Sequence, residues 1–222
     1  MTPTPLFDDL LRRIESRLAP VEAAPRLEAG AASPAAAGAG LPSPTASDFP
    51  ARAAVTLFLR PDGSGRSAEI LFIKRAQRAG DPWSGHLALP GGREEAEDAT
   101  ILDVAVREAV EEVGIDVRAG GRPLGWLPPF TPASARIPRI VVMPLVARAP
   151  DGAVPRLQPE EVDAAFWMSL DSLRDGGKTA RVRFTMEGAV REFPAYPSPH
   201  GPIWGITERI ISGFISLVEK EG

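Results

Sequence analysis

Glu108, Glu111 and Glu112 are the residues whose type and spacing define the chemistry open to this chain. They stand behind Arg107 and ahead of Gly114 in the run Arg-Glu-Ala-Val-Glu-Glu-Val-Gly. Projected on a helix at roughly 100° per residue, they share an arc of about 100°. Leu102, Val106, Ala109, Val110 and Val113 fall on the other side, as an apolar stripe should. Glu108 and Glu112 are i,i+4 neighbours, and like charges at that spacing cost a few tenths of a kcal/mol. A helix that gathers carboxylates in this way is suited to hold a hard cation. Mg²⁺ and Mn²⁺ take oxygen ligands, and Mg²⁺ commonly joins one or two carboxylates to substrate phosphates.

The helix must be placed by what surrounds it. Leu89-Pro90-Gly91-Gly92 turns the chain into an acidic loop containing Asp98, and Thr100 or Asp98 can cap the helix that follows. Gly114 stands where a helix C-terminal glycine is expected. Upstream, residues 53–59 and 69–75 read as two apolar strands joined by a turn-rich loop. Downstream, residues 125–130 read as extended. Residues 139–147 form an apolar strand whose Pro144 predicts an edge or a bulge. Another strand is expected over 165–170, a short helix from Leu170, and hairpin strands at 182–185 and 191–196. A C-terminal helix over 203–218 carries Ile206, Ile210, Phe214 and Leu217 on one side. Strands mixed with helices predict a mixed sheet between helical layers.

The first 18 residues form a separate segment, with an amphipathic helix over 5–18 built on Leu6, Leu10, Ile14 and Leu18. Residues 19–50 are rich in Ala, Pro, Gly and Ser and read as a linker or arm. Residues 51–222 form the main domain. The chain has 222 residues, enough for one sizeable core. A net charge of −4 argues against a general nucleic-acid binder. The absence of cysteine excludes disulfides, thiolate metal sites and cysteine nucleophiles. No secretory leader and no membrane-spanning run is read, so a cytoplasmic protein without membrane contact is expected.

The order Gly-Gly, acidic loop, Arg-Glu-x-x-Glu-Glu-x-Gly resembles the Nudix box of the Nudix hydrolase superfamily. Gly92, Arg107, Glu108, Glu111, Glu112, Gly114 and Ile115 match its pattern. Gly92 and Arg107 stand one residue further apart than the common spacing, and the loop acid is Asp98 rather than Glu. This expansion, the run Gly85-x3-Leu89-Pro-Gly-Gly and the stretch Ile203 to Thr207 resemble the branch that contains coenzyme A pyrophosphatases. Leu89 replaces an aromatic residue of that signature, and Asp81 and His86 stand where arginine and glutamate are usual.

The resemblance implies an α/β/α sandwich and a pyrophosphohydrolase that uses Mg²⁺ or Mn²⁺ to cleave a diphosphate linkage, most simply in coenzyme A or a derivative. ADP-ribose, dinucleoside polyphosphates and oxidised nucleoside triphosphates are the alternative substrates, and a nucleotide-binding regulator is the alternative without catalysis. It implies Glu108, Glu112 and Glu111 as metal ligands, joined by the Gly91 carbonyl. Glu111 could instead orient water, and Arg107 would orient the carboxylates. It points to a general base in a later loop, Glu161 with Glu160 as alternate. It also implies a homodimer. Arg78, His86 and Arg93 are the candidate substrate contacts, with Lys74 and Arg75 nearby. Trp83, Trp126 and Phe130 could stack on a base, whereas His200 is expected to be structural.

Overall fold

The computed structural model describes residues 5–23, 51–81, 83–132, 140–186 and 189–219. Most of the arm predicted over 19–50 lies outside these residues, as do Pro82 and Arg139. The elements run α1 (Pro5–Glu15), β1 (Ala51–Pro61), β2 (Ala68–Arg75), β3 (Leu87–Ala88), β4 (Gly91–Arg93), α2 (Ile101–Val113), β5 (Arg122–Trp126), β6 (Ile140–Arg148), β7 (Val162–Ser169), α3 (Leu170–Gly176), β8 (Ala180–Met186), β9 (Ala189–Ala195) and α4 (Gly205–Glu219).

Seven strands form one mixed sheet and β8–β9 form a separate hairpin. β1 lies at the centre. It runs parallel to β6 from Ala51↔Ile140 to Leu59↔Arg148. Its other edge is shared, with β4 on Ala53–Val55 and β2 on Leu59–Pro61, both antiparallel. β2 continues beyond β1, paired with β7 on one edge and with β3 on the other. Strands buried on both faces should read as continuous apolar runs, and β1, β2 and β6 do.

Alternate residues feed two cores. Leu57, Leu59, Ile70, Phe72, Val142 and Val146 pack with α1, α3 and α4. Phe58, Leu71, Ile73, Val141, Met143 and Leu145 pack with α2. The mixed sheet between helical layers is therefore present, as expected. α1 belongs to the first core through Phe7, Leu10, Leu11 and Ile14. The chain leaving α1 forms a bridge in which Ala19 and Trp126 exchange backbone hydrogen bonds of 3.0 and 2.8 Å.

Pro144 lies not on an edge but in β6, between β1 and β5. Leu127 donates its N–H to the Pro144 carbonyl, while Phe130 pairs with Val142. Three residues thus advance on one side against two on the other, which is the bulge alternative. The extra residue lies where proline has no N–H to give.

Candidate active site

α2 begins at Thr100, whose side chain accepts the Asp103 N–H, and ends at Gly114 with φ 65° and ψ 23°. It packs on β1 through small residues, and Thr56 donates its hydroxyl to the Ala105 carbonyl at 3.4 Å. This close approach brings α2 over β4. Gly91 donates its N–H to Glu112 Oε2 at 2.8 Å. Gly91 has φ 151°, and a Cβ there would collide with the backbone of Ala54 and Val55 in β1. A Cβ on Gly92 would overlap the Glu108 carboxylate itself. The Gly-Gly pair is the floor on which two carboxylates rest.

The carboxylates do not face solvent opposite the apolar stripe. Glu108 is 9% and Glu112 3% exposed, whereas Val110 is 44% exposed. The buried arc, Ile101, Val104, Ala105, Ala109 and Val113 among it, is centred near Ala105. It is rotated by roughly 80° from the stripe read on hydrophobicity alone, because α2 turns its glutamates toward β4. Glu111 remains outside the buried arc.

Arg107 ties the site together. Its Nε and one terminal nitrogen donate to the two oxygens of Asp98 at 3.1 and 2.9 Å. Its other terminal nitrogen donates to Glu108 Oε1 at 2.9 Å and Glu111 Oε2 at 3.1 Å. The terminal nitrogen hydrogen-bonded to Asp98 also donates to the Arg93 carbonyl at 2.8 Å. The guanidinium hydrogen bonds hold Asp98 below the ordinary carboxylate range. Burial pushes Glu108 upward against the opposing pull of Arg107. Burial pushes Glu112 up to about 8, with the charges of Glu108 and Glu161 adding to the effect and the Gly91 N–H and Arg75 opposing it.

A cavity of about 100 Å³ opens beside these groups, lined by Arg75, Ala76, Arg78, Gly91, Gly92, Glu108, Glu112 and Glu161. The far wall forms because Ala76 leaves β2 and donates its N–H to the Glu161 carbonyl at 2.8 Å. Arg78 donates to Glu161 Oε1 at 3.1 Å and, through Nε, to the Glu160 carbonyl at 3.0 Å. Arg75 donates to Asp81 Oδ2 at 2.9 Å, and its Nε is buried without a protein partner.

Of the residues singled out in the sequence, Glu108, Glu112, Gly91, Arg78 and Glu161 thus meet at one cavity. Glu111 and Arg107 stand behind them, and Arg93 is an exposed residue of β4. Lys74 pairs with Asp163 at 3.4 Å. His86 sits among aromatic rings, 4.9 Å from Trp204 between centroids, and burial holds its imidazole below the usual range. His200 stacks on Phe166 at 4.2 Å. Trp126 is a core residue that donates Nε1 to the Val21 carbonyl, and Phe130 lies beneath the Arg209 guanidinium. Sequence reasoning gave no role to Asp81, which holds Arg75 at the cavity wall. A loop contact six residues away leaves no periodic trace.

The donor set suits a hard cation. Glu108 and Glu112 are buried carboxylates that line one cavity over a glycine floor. Among the described residues no three carboxylates or imidazoles are gathered in ligand geometry. Arg107 draws Glu111 and one oxygen of Glu108 to itself. Two carboxylates completed by water and phosphate oxygens is the ordinary Mg²⁺ arrangement.

A family model described as the NUDIX domain matches residues 50–192. An uncharacterised protein of Schizosaccharomyces pombe is 37% identical over 131 residues, which are 58% of this chain and 39% of that protein. A peroxisomal coenzyme A diphosphatase of Caenorhabditis elegans is 32% identical over 165 residues, 71% of this chain and 66% of its own. The matched stretch is thus well under half the length of the first relative and just under two thirds of the second. The crystal structure of a MutT/nudix family protein from Enterococcus faecalis aligns with a TM-score of 0.50 at 19% identity, covering 82% of this chain and 66% of that one, a likeness of fold. No helix among the described residues is long and apolar enough to cross a membrane.

Proposed function

The chain belongs to the NUDIX family, and from that premise we propose that it is a divalent-metal-dependent hydrolase that cleaves the diphosphate linkage of coenzyme A or a coenzyme A derivative. The observation that carries the chemistry is the cavity in which the buried Glu108 and Glu112 face Arg75, Arg78 and Glu161. The coenzyme A reading draws on the named activity of the nematode relative.

Glu108 and Glu112 hold Mg²⁺ or Mn²⁺ on this reading, with the Gly91 carbonyl as a further oxygen donor. The cation supplies neutralisation of the diphosphate charge and polarisation of its oxygens. Arg107 is a positioning residue. Its fork fixes the Glu108 carboxylate and closes the acidic loop through Asp98, away from the cavity wall. Arg75 and Arg78 receive the phosphate oxygens. An anionic substrate competes with Glu161 for Arg78, and Glu161, released from its 3.1 Å ion pair, accepts the proton of the attacking water at its freed carboxylate oxygen.

The test is to incubate the purified chain with coenzyme A and Mg²⁺ or Mn²⁺ and to resolve the products. Adenosine 3′,5′-bisphosphate and 4′-phosphopantetheine in equal amounts are expected. Cleavage of ADP-ribose but not of coenzyme A would overturn the substrate and leave the diphosphate chemistry in place.

A further inference from the structure

The two arginines at the cavity are held in different ways. Arg78 pairs with Glu161, which lines the cavity itself, so an anion entering there competes for it. Arg75 pairs with Asp81 at 2.9 Å, and Asp81 is not among the residues that line the cavity. A guest there meets the guanidinium and not the carboxylate behind it. Asp81 engages only one terminal nitrogen of Arg75. Nε is buried with no hydrogen-bond partner. Among the described residues no group accepts from the other terminal nitrogen, which is the one left to donate into the cavity. A buried donor without a partner costs free energy, and a guanidinium free to choose its pose would turn Nε toward water. The Asp81 ion pair offsets that cost and fixes the pose that lines the cavity.

Asp81 is itself held firmly. Its Oδ1 accepts the Trp83 N–H at 2.9 Å, the local contact by which aspartate closes a turn. Its backbone N–H donates to the Arg78 carbonyl, and its carbonyl accepts the Ser84 N–H, both at 3.2 Å. Ser84 Oγ accepts the Arg78 N–H and donates to the Arg78 carbonyl, both at 2.9 Å. Gly85 donates to the Arg75 carbonyl at 3.1 Å, and Arg75 donates to the His86 carbonyl at 3.0 Å. Trp83 packs against His86 and Phe184, with centroids 5.6 and 6.4 Å away. Both Asp81 oxygens are thus engaged, and the Arg75 guanidinium holds the carboxyl below its ordinary range. The loop returns to β2 where the two arginines emerge, carrying a carboxylate with no freedom to follow a moving partner.

We propose that Asp81 is a positioning residue of the phosphate site, presenting Arg75 to the diphosphate without touching the substrate. This rests on the hydrolase reading above for the role of Arg75. The two arginines then divide the task. Arg75 is preorganised and receives a phosphate oxygen without rearrangement, whereas Arg78 must first leave Glu161. The sign of one effect separates this role from simple electrostatics. Asp81 lowers the positive charge near the cavity, so on charge alone its removal would strengthen anion binding. Preorganisation makes its removal weaken binding.

The test titrates imidodiphosphate, a diphosphate that resists hydrolysis, with Mg²⁺ into the native chain, Asp81→Asn, Arg75→Met and the double variant, by calorimetry. Asp81→Asn keeps a side-chain oxygen for the Trp83 N–H and removes the charge from Arg75. It is expected to weaken binding ~10-fold, the lower end for a hydrogen bond between charged groups. Arg75→Met keeps an apolar stem and removes the guanidinium. In that background Asp81→Asn should change affinity less than ~2-fold, because Asp81 acts through Arg75. Damage to the loop alone would weaken both backgrounds alike. The proposal is overturned if Asp81→Asn leaves affinity unchanged or strengthens it, if the two effects add in the double variant, or if the native chain binds no imidodiphosphate. If Arg75→Met does not fold, the sign of the Asp81→Asn effect decides alone. Coenzyme A kinetics separate the proposal from the reading on which it rests. The expected binding pattern with no hydrolysis of any nucleotide leaves the role of Asp81 standing and removes the hydrolase. Hydrolysis with an unaltered KM in Asp81→Asn does the reverse.

Discussion

Burial is what distinguishes Glu112 from an ordinary helix-surface glutamate. Its carboxyl, pushed up to about 8 from an ordinary value of 4.5, holds its proton more tightly in the folded chain than in the unfolded one. The folded state therefore binds more protons between about pH 4.5 and 8, so this group's contribution to stability is full below that window and is lost as pH rises through it. Thermal unfolding of the metal-free chain should show Tm falling from pH 6 to pH 8.5. Glu112→Gln should flatten that slope, and Mg²⁺ should raise the native Tm most at the alkaline end. Arg107 acts through others. Arg107→Lys keeps a charge but loses the fork that grips Asp98 and Glu108 together. Mg²⁺ affinity should fall 10- to 100-fold, as is usual when a group that orients a metal ligand is removed, with little change in the far-ultraviolet dichroism; an unaltered affinity would show that Glu108 is oriented without it. The spacing of Glu108 and Glu112 was legible in the sequence, since i,i+4 carboxylates are visible in any helical projection. Their burial was not, because hydrophobicity alone aimed the helix at Val110 and away from Ala105.

Among the elements, β4 and α2 form one unit, and Gly92 within β4 and Gly114 at the end of α2 make distinct predictions. Gly92→Ala would place a methyl group in the space of the Glu108 carboxylate. Turnover should collapse while the cooperative unfolding transition persists, measured by hydrolysis beside calorimetry. Gly114→Ala forces alanine to φ 65° at the helix end and should cost about 1–2 kcal/mol of stability, with kcat unchanged. The helix and its C-terminal Gly114 could be read directly, whereas the sequence allows a start at Thr100 or Asp98 and the structure selects Thr100. The long strands were legible from unbroken apolar runs. β3 and β4, two and three residues long, have no period to detect, yet β4 supplies the floor of the site. Pro144 shows the opposite failure: a local rule allowed an edge, and only the pairing of β6 on both sides selects the bulge.

In the whole molecule, the first helix is part of the enzyme's own core. Phe7, Leu11 and Ile14 are each 1% exposed, packed with α4 and the sheet, and Arg17 donates to the Leu217 carbonyl at 2.8 Å. Amphipathic periodicity revealed the apolar stripe of α1 but could not say what it covers, since a partner chain and the domain's own sheet present the same chemistry. Leu11→Ala should lower unfolding free energy by about 2–5 kcal/mol in denaturant titrations, the usual cost of truncating a buried leucine. The same core sets β1 and β2, and through them the cavity between Arg75, Arg78 and the paired glutamates. The central claim is that this cavity hydrolyses a diphosphate by means of a cation held on Glu108 and Glu112. The most direct measurement is turnover of coenzyme A with saturating Mg²⁺ by the native chain and by Glu112→Gln, with the folded state of both verified by thermal unfolding. Metal charge supplies several kcal/mol of transition-state stabilisation. The account predicts two phosphomonoester products from the native chain and a loss of roughly 10³-fold or more in kcat for the variant. Undiminished turnover by a folded Glu112→Gln, or a native chain that leaves coenzyme A and every other nucleoside diphosphate derivative intact, would contradict it.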